Sequence, residues 1–68
     1  MEKDYLKVFT TVQSYKAEIA HDLLDNNEIV NVILNQKDTA YATFGNISVY
    51  VHKKDEEKAL EILKNLER

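Results

Sequence analysis

The sequence predicts a small α+β domain with the element order strand, helix, strand, strand, helix, the opening of a ferredoxin-like sandwich. Three observations carry this reading. Two stretches, 15–26 and 55–66, place apolar residues at the helical period, whereas three short runs rich in β-branched and aromatic residues alternate. A chain of 68 residues has room for one core, so a single domain over 1–68 is expected. A strand-helix-strand unit joined by a right-handed crossover leaves space for the next strand to run antiparallel between the first two, with both helices on one face. The arrangement is a truncated ferredoxin-like fold (β-α-β-β-α): an antiparallel sheet of about three strands that lacks the final strand of the full motif.

Tyr5 to Thr11 alternates as a strand, with Leu6, Val8 and Thr10 on one face and Tyr5, Lys7 and Phe9 on the other. Ser14 offers a capping hydroxyl, and the helix from Tyr15 to Asn26 gathers Ala17, Ile19, Ala20, Leu23 and Leu24 on one arc. The two alanines allow its backbone to lie close to a sheet. Asn26-Asn27 stops it, since asparagine tolerates the left-handed conformation that closes many helices. Ile29 to Asn35 forms the second strand, with Val30, Val32 and Leu34 expected inward and Ile29, Asn31 and Ile33 outward. In the irregular stretch from Gln36 to Asn46, Gly45-Asn46 reads as a hairpin between Tyr41–Phe44 and the strand Ile47–Val51. That last strand turns Ile47, Val49 and Val51 one way and Ser48, Tyr50 and His52 the other. Asp55 to Leu66 is a helix capped by Asp55, with a buried stripe of Ala59, Ile62, Leu63 and Leu66 and an outer stripe of alternating charge.

Composition narrows the function classes. No run approaches the roughly 20 apolar residues of a membrane-spanning helix, and the first four residues lack the basic and apolar blocks of a signal peptide. Together with the absence of cysteine this makes a cytoplasmic location the expectation. The net charge is −3 and the only arginine is Arg68, so the basic stripe that binds nucleic-acid phosphates is missing. With 44% hydrophobic residues and no disulfide, a domain this small often covers leftover apolar surface with a second copy of itself.

The residues also resemble a known family. Ala17-Glu18-Ile19 and Leu23-Leu24 before Asn27-Glu28-Ile29, then Tyr50-Val51 before Asp55, Ala59, Ile62 and Leu63, are similar to the small bacterial family named putative prokaryotic signal-transducing protein, from about Tyr5 to Leu66. The resemblance implies a ferredoxin-like fold akin to the nitrogen-regulatory PII proteins and leaves the function unassigned. Many members carry glycine before the isoleucine that opens the second strand, where this chain has Asn27-Glu28. The likeness to PII proteins puts the Gln36–Asn46 segment where those carry a long effector loop. It is far shorter here, and no PII ligand motif transfers.

Candidate chemistry is sparse. His21 and His52 have no companions at metal-binding spacing; His21 has Asp25 four residues on, the pattern of an ordinary helix-edge pair. No serine or threonine has a recognisable base partner, and no glycine-rich cradle or arginine precedes the first helix. Neither an enzymatic activity, a cofactor nor a metal is expected. The expected interface is an aromatic open face of Tyr5, Phe9, Ile29, Ile33 and Tyr50, which fits a homodimer or another protein partner. The alternative function is a small-ligand sensor using Asp38, Thr39 and Tyr41 of the Gln36–Asn46 loop. A single-stranded RNA platform is the weakest alternative, since sheet aromatics stack bases but the charge opposes it, so no nucleic acid is expected.

Overall fold

The computed structural model describes residues 4–35 and 47–66. In chain order these form β1 (Tyr5–Thr11), α1 (Ser14–Asn26), β2 (Asn31–Asn35), β3 (Ile47–His52), a short 3-10 turn (Lys53–Asp55) and α2 (Glu56–Leu63). The sheet order is β1-β3-β2, with β3 antiparallel to both neighbours. This is the β-α-β-β-α order and central third strand expected of a small ferredoxin-like α+β fold. The expected Tyr41–Phe44 strand and Gly45-Asn46 hairpin lie outside the described residues.

The core forms between the sheet and the two helices, which pack against each other and against β1 and β3. Ala17 and Ala20 are buried in α1, as their small size allows when a helix backbone lies close to a sheet, and Leu24 is fully buried one turn on. From α2 come Ala59 and Leu63, also fully buried, with Ile62 and Leu66 packed at the margin. Val49 and Val51 of β3 meet them from the sheet at 0% exposure. Full burial of one such aliphatic side chain contributes about 1.5–3 kcal/mol. Ile19, expected on the buried arc of α1, is 41% exposed instead, because Ala17, Ala20 and Leu24 define a narrower stripe.

Both helix starts differ from expectation. Ser14 is the first residue of α1, the N-cap position belongs to Gln13, and no side chain caps the helix. The amide of Gln13 instead donates to Thr11 Oγ1 at 3.1 Å, a local turn that leads the chain out of β1. Asp55 stands at the N-cap of α2 without a side-chain cap bond, and it is His52 that accepts from the Lys54 amide as the 3-10 turn begins.

Two irregularities set which side chains reach the core. In β1 the pairing register shifts between Lys7 and Phe9: Lys7 opposes Tyr50 and Phe9 opposes Val49, so Val8 is an extra residue. Such a β-bulge reverses the inward and outward alternation beyond it. Val8 and Phe9 both join the core, at 5% and 6% exposure, which corrects the expectation that Phe9 faces away from the helices.

At the end of α1 the amide of Glu28 donates to the Asp25 carbonyl at 3.0 Å and that of Ile29 to the Leu24 carbonyl at 2.9 Å. Glu28 has φ 61°. These are the paired bonds and the left-handed residue of a Schellman helix end, whose usual companion is an apolar contact between the residues here represented by Ile29 and Leu24. Both belong to the core cluster. Ile29 at 3% exposure is therefore inside and Val30 at 67% is outside, the reverse of the expected pattern. The strand begins later than expected, at Asn31, with its faces inverted: Asn31 and Ile33 oppose the inward Val51 and Val49, while Val32 and Leu34 oppose Tyr50 and Ser48.

Candidate functional site

The side of the sheet turned away from the helices carries the candidate site. Three cross-strand rows build it. His52 lies opposite Tyr5; Tyr50 lies between Lys7 on β1 and Val32 on β2; Ser48 lies between Thr10 and Leu34. Each residue faces this way because it pairs with the outward set of β3, whose alternation of Ile47, Val49 and Val51 inward is unbroken.

The rows have different chemistry. Tyr5 and His52 meet edge-on, with ring centroids 5.6 Å apart and planes at 75°, a favoured aromatic arrangement. Because His52 Nδ1 accepts the Lys54 amide proton at 3.1 Å, the neutral ring carries its own proton on Nε2. The hydroxyls of Thr10 and Ser48 approach to 3.5 Å, and Ser48 is buried at 5% exposure. Val32, Leu34, Tyr5, Tyr50 and His52 are half-buried, giving a shallow apolar and aromatic surface with Lys7 as the one exposed charge in these rows.

Of the five residues expected at an interface, Tyr5 and Tyr50 stand on this face. Phe9 and Ile29 are in the core, and Ile33, 38% exposed, lies on the helix side of the edge strand β2. Val32 and Leu34 take the places on β2 that the expected pattern gave to Ile29 and Ile33. The signal for that exchange sits at Glu28-Ile29: if Ile29 closes the helix against Leu24, parity turns Val32 and Leu34 outward. Asp38, Thr39 and Tyr41 of the proposed ligand loop lie outside the described residues.

His21 does not pair with Asp25. Its Nδ1 lies 2.7 Å from Asn31 Oδ1, while Asn31 Nδ2 donates to the Ile29 carbonyl at 3.0 Å. That second bond fixes the amide orientation, so His21 Nδ1–H is the donor and Asn31 the acceptor. The pair fastens α1 to the start of β2. Among the described residues no three or more His, Cys, Asp or Glu side chains gather as metal ligands would, and no described helix is long and apolar enough to cross a membrane.

A protein-family model matches residues 5–67. No curated protein and no solved structure gives a match. With all but the ends of the chain covered, the protein belongs to the family described as putative prokaryotic signal transducing protein.

Proposed function

We propose that this chain is a non-catalytic, cytoplasmic regulatory module that acts through protein contact at the open face of its sheet, in the first instance with a second copy of itself. The observation that carries the reading is the run of Val32, Leu34, Tyr50, Tyr5 and His52 across all three strands, on the side of the sheet opposite the helices. Each tyrosine offers a large apolar ring whose hydroxyl is satisfied by water or by a partner, which suits a surface wet in one state and covered in another. The family description, signal transduction, agrees with a part played by binding. The rows contain hydroxyls, one lysine and one histidine but no acid, base and nucleophile arranged for a reaction.

The test is the mass in solution by light scattering. Wild-type protein is expected to rise from one chain towards two with concentration, and Tyr50→Lys to remain at one chain while still folded. A wild-type protein that stays a single chain at millimolar concentration, with Tyr5 and Tyr50 ring signals unchanged on dilution, overturns self-association through this face.

A further inference from the structure

We infer that His52 is a proton-sensitive latch, which in its neutral form holds the 3-10 turn between β3 and α2 to the end of the sheet and on taking up a proton lets it go. His52 is the last residue of β3 and the N-cap of the turn Lys53–Asp55. The bond that its Nδ1 accepts from the Lys54 amide, at 3.1 Å, is the side-chain cap. Such caps are usually supplied by Ser, Thr, Asp or Asn, whose oxygens still accept when the solution is mildly acidic. An imidazole nitrogen accepts only while it is unprotonated, and in the charged ring both nitrogens are donors. A proton on Nδ1 sets one N–H against another, and the cap bond is lost.

The other histidine supplies the contrast. His21 uses Nδ1 as a donor, to Asn31 Oδ1 at 2.7 Å, so a second proton on its Nε2 leaves that bond in place. Only His52 holds a neighbour through a lone pair. The charges about its ring come from several elements. Just before β1, the Asp4 carbonyl accepts from the Lys53 amide at 2.7 Å and its carboxylate lies 3.5 Å from Lys53 Nζ. β1 brings the Tyr5 ring edge-on and Lys7 one row further along, whereas β2 contains no charged residue. The turn adds Lys53, Lys54 and Asp55, and α2 opens with Glu56 and Glu57. The lysines oppose a further positive charge and the carboxylates favour one; together they set how readily the ring charges, while the direction of Nδ1 decides what the charge does. The bond from Lys53 to Asp4 does not involve the ring, so the release is confined to Lys54, the ring and its contact with Tyr5. That contact is the end row of the open face, which therefore changes with the latch.

The experiment titrates the isotope-labelled full chain from about pH 8 to about pH 5, the span in which histidine changes charge, and follows the ring nitrogens of both histidines and the Lys54 amide. At the upper end the nitrogen shifts of His52 should show a proton on Nε2 and none on Nδ1. On acidification the Lys54 amide should lose protection from exchange by about two- to tenfold beyond the intrinsic effect of pH, the share held by one hydrogen bond. Its midpoint should be that of the His52 ring. His52→Asn, whose amide oxygen caps without titrating, should keep Lys54 protected and remove the step. Should that variant fail to fold, the shared midpoint in the wild-type protein decides alone. A proton on Nδ1 of His52 at the upper end, a Lys54 amide that keeps its protection while the His52 ring charges, or an equal step in His52→Asn would overturn the latch. None of these outcomes bears on self-association, which light scattering reads at constant pH, so the two proposals fail separately.

Discussion

The two outer strands flank the same central strand and reach it by different routes. β1 begins in a regular alternation and loses it inside the strand, where Val8 is inserted between the pairs Lys7–Tyr50 and Phe9–Val49. β2 is regular throughout, and its parity is decided before it starts, at the left-handed Glu28 that delivers Ile29 to the core. Both strands consequently turn different residues to solvent than simple alternation suggests. Alternation states which residues share a face; an irregularity in the strand or in the turn before it states which face that is.

Deleting Val8 separates the bulge from a regular strand most forcefully. In a regular strand a one-residue deletion turns every later side chain to the opposite face and abolishes folding. Here the deletion removes the extra residue, so Leu6, Phe9 and Thr11 keep their partners Val51, Val49 and Ile47. The expected outcome is a folded protein weakened by about 1.5–3 kcal/mol, the burial of one valine, as read by urea unfolding. Loss of a cooperative transition would mean that the bulge does not set the register.

A smaller effect of opposite sign sharpens the account of β2. Glu28 occupies a position where a side chain is penalised, at φ 61°, and glycine is the residue that adopts this conformation freely. Glu28→Gly should stabilise the domain by about 1 kcal/mol, since the left-handed conformation costs a non-glycine residue about 1–2 kcal/mol and glycine returns part of that as chain entropy. Thermal melting should then move up by about 4–8 °C. A lowered melting temperature would show that Glu28 makes a compensating contact.

Much of the fold was legible because it follows from periodicity. The bounds of β1 follow from its run of β-branched and aromatic residues, whereas α1, to within its first residue, and β3, with its faces, follow from uninterrupted periodicity. Less of the site was legible. Tyr5 precedes the bulge and Tyr50 lies on β3, so alternation placed both correctly; Phe9 follows the bulge and was misplaced. Nothing in Tyr-Leu-Lys-Val-Phe-Thr-Thr marks a bulge, because only the bulge type with a left-handed residue calls for glycine. The inversion of β2 left a trace: the resemblance to a family with glycine before that isoleucine points to a left-handed residue at Glu28. The His21–Asn31 bond joins residues ten apart on different elements, beyond the reach of a local pattern.

The central claim is that Phe9 belongs to the core and Tyr50 to the working surface, and urea unfolding of Phe9→Lys beside Tyr50→Lys, at concentrations low enough to keep the chain monomeric, tests it most directly. The account predicts that Phe9→Lys loses more than about 3 kcal/mol, because a buried aromatic is removed and a charge takes its place. Tyr50→Lys should change stability by less than about 1 kcal/mol, as exchanges on a partly exposed surface do. A Tyr50→Lys protein as unstable as Phe9→Lys would contradict the account, since the face assigned to binding would then be a second core.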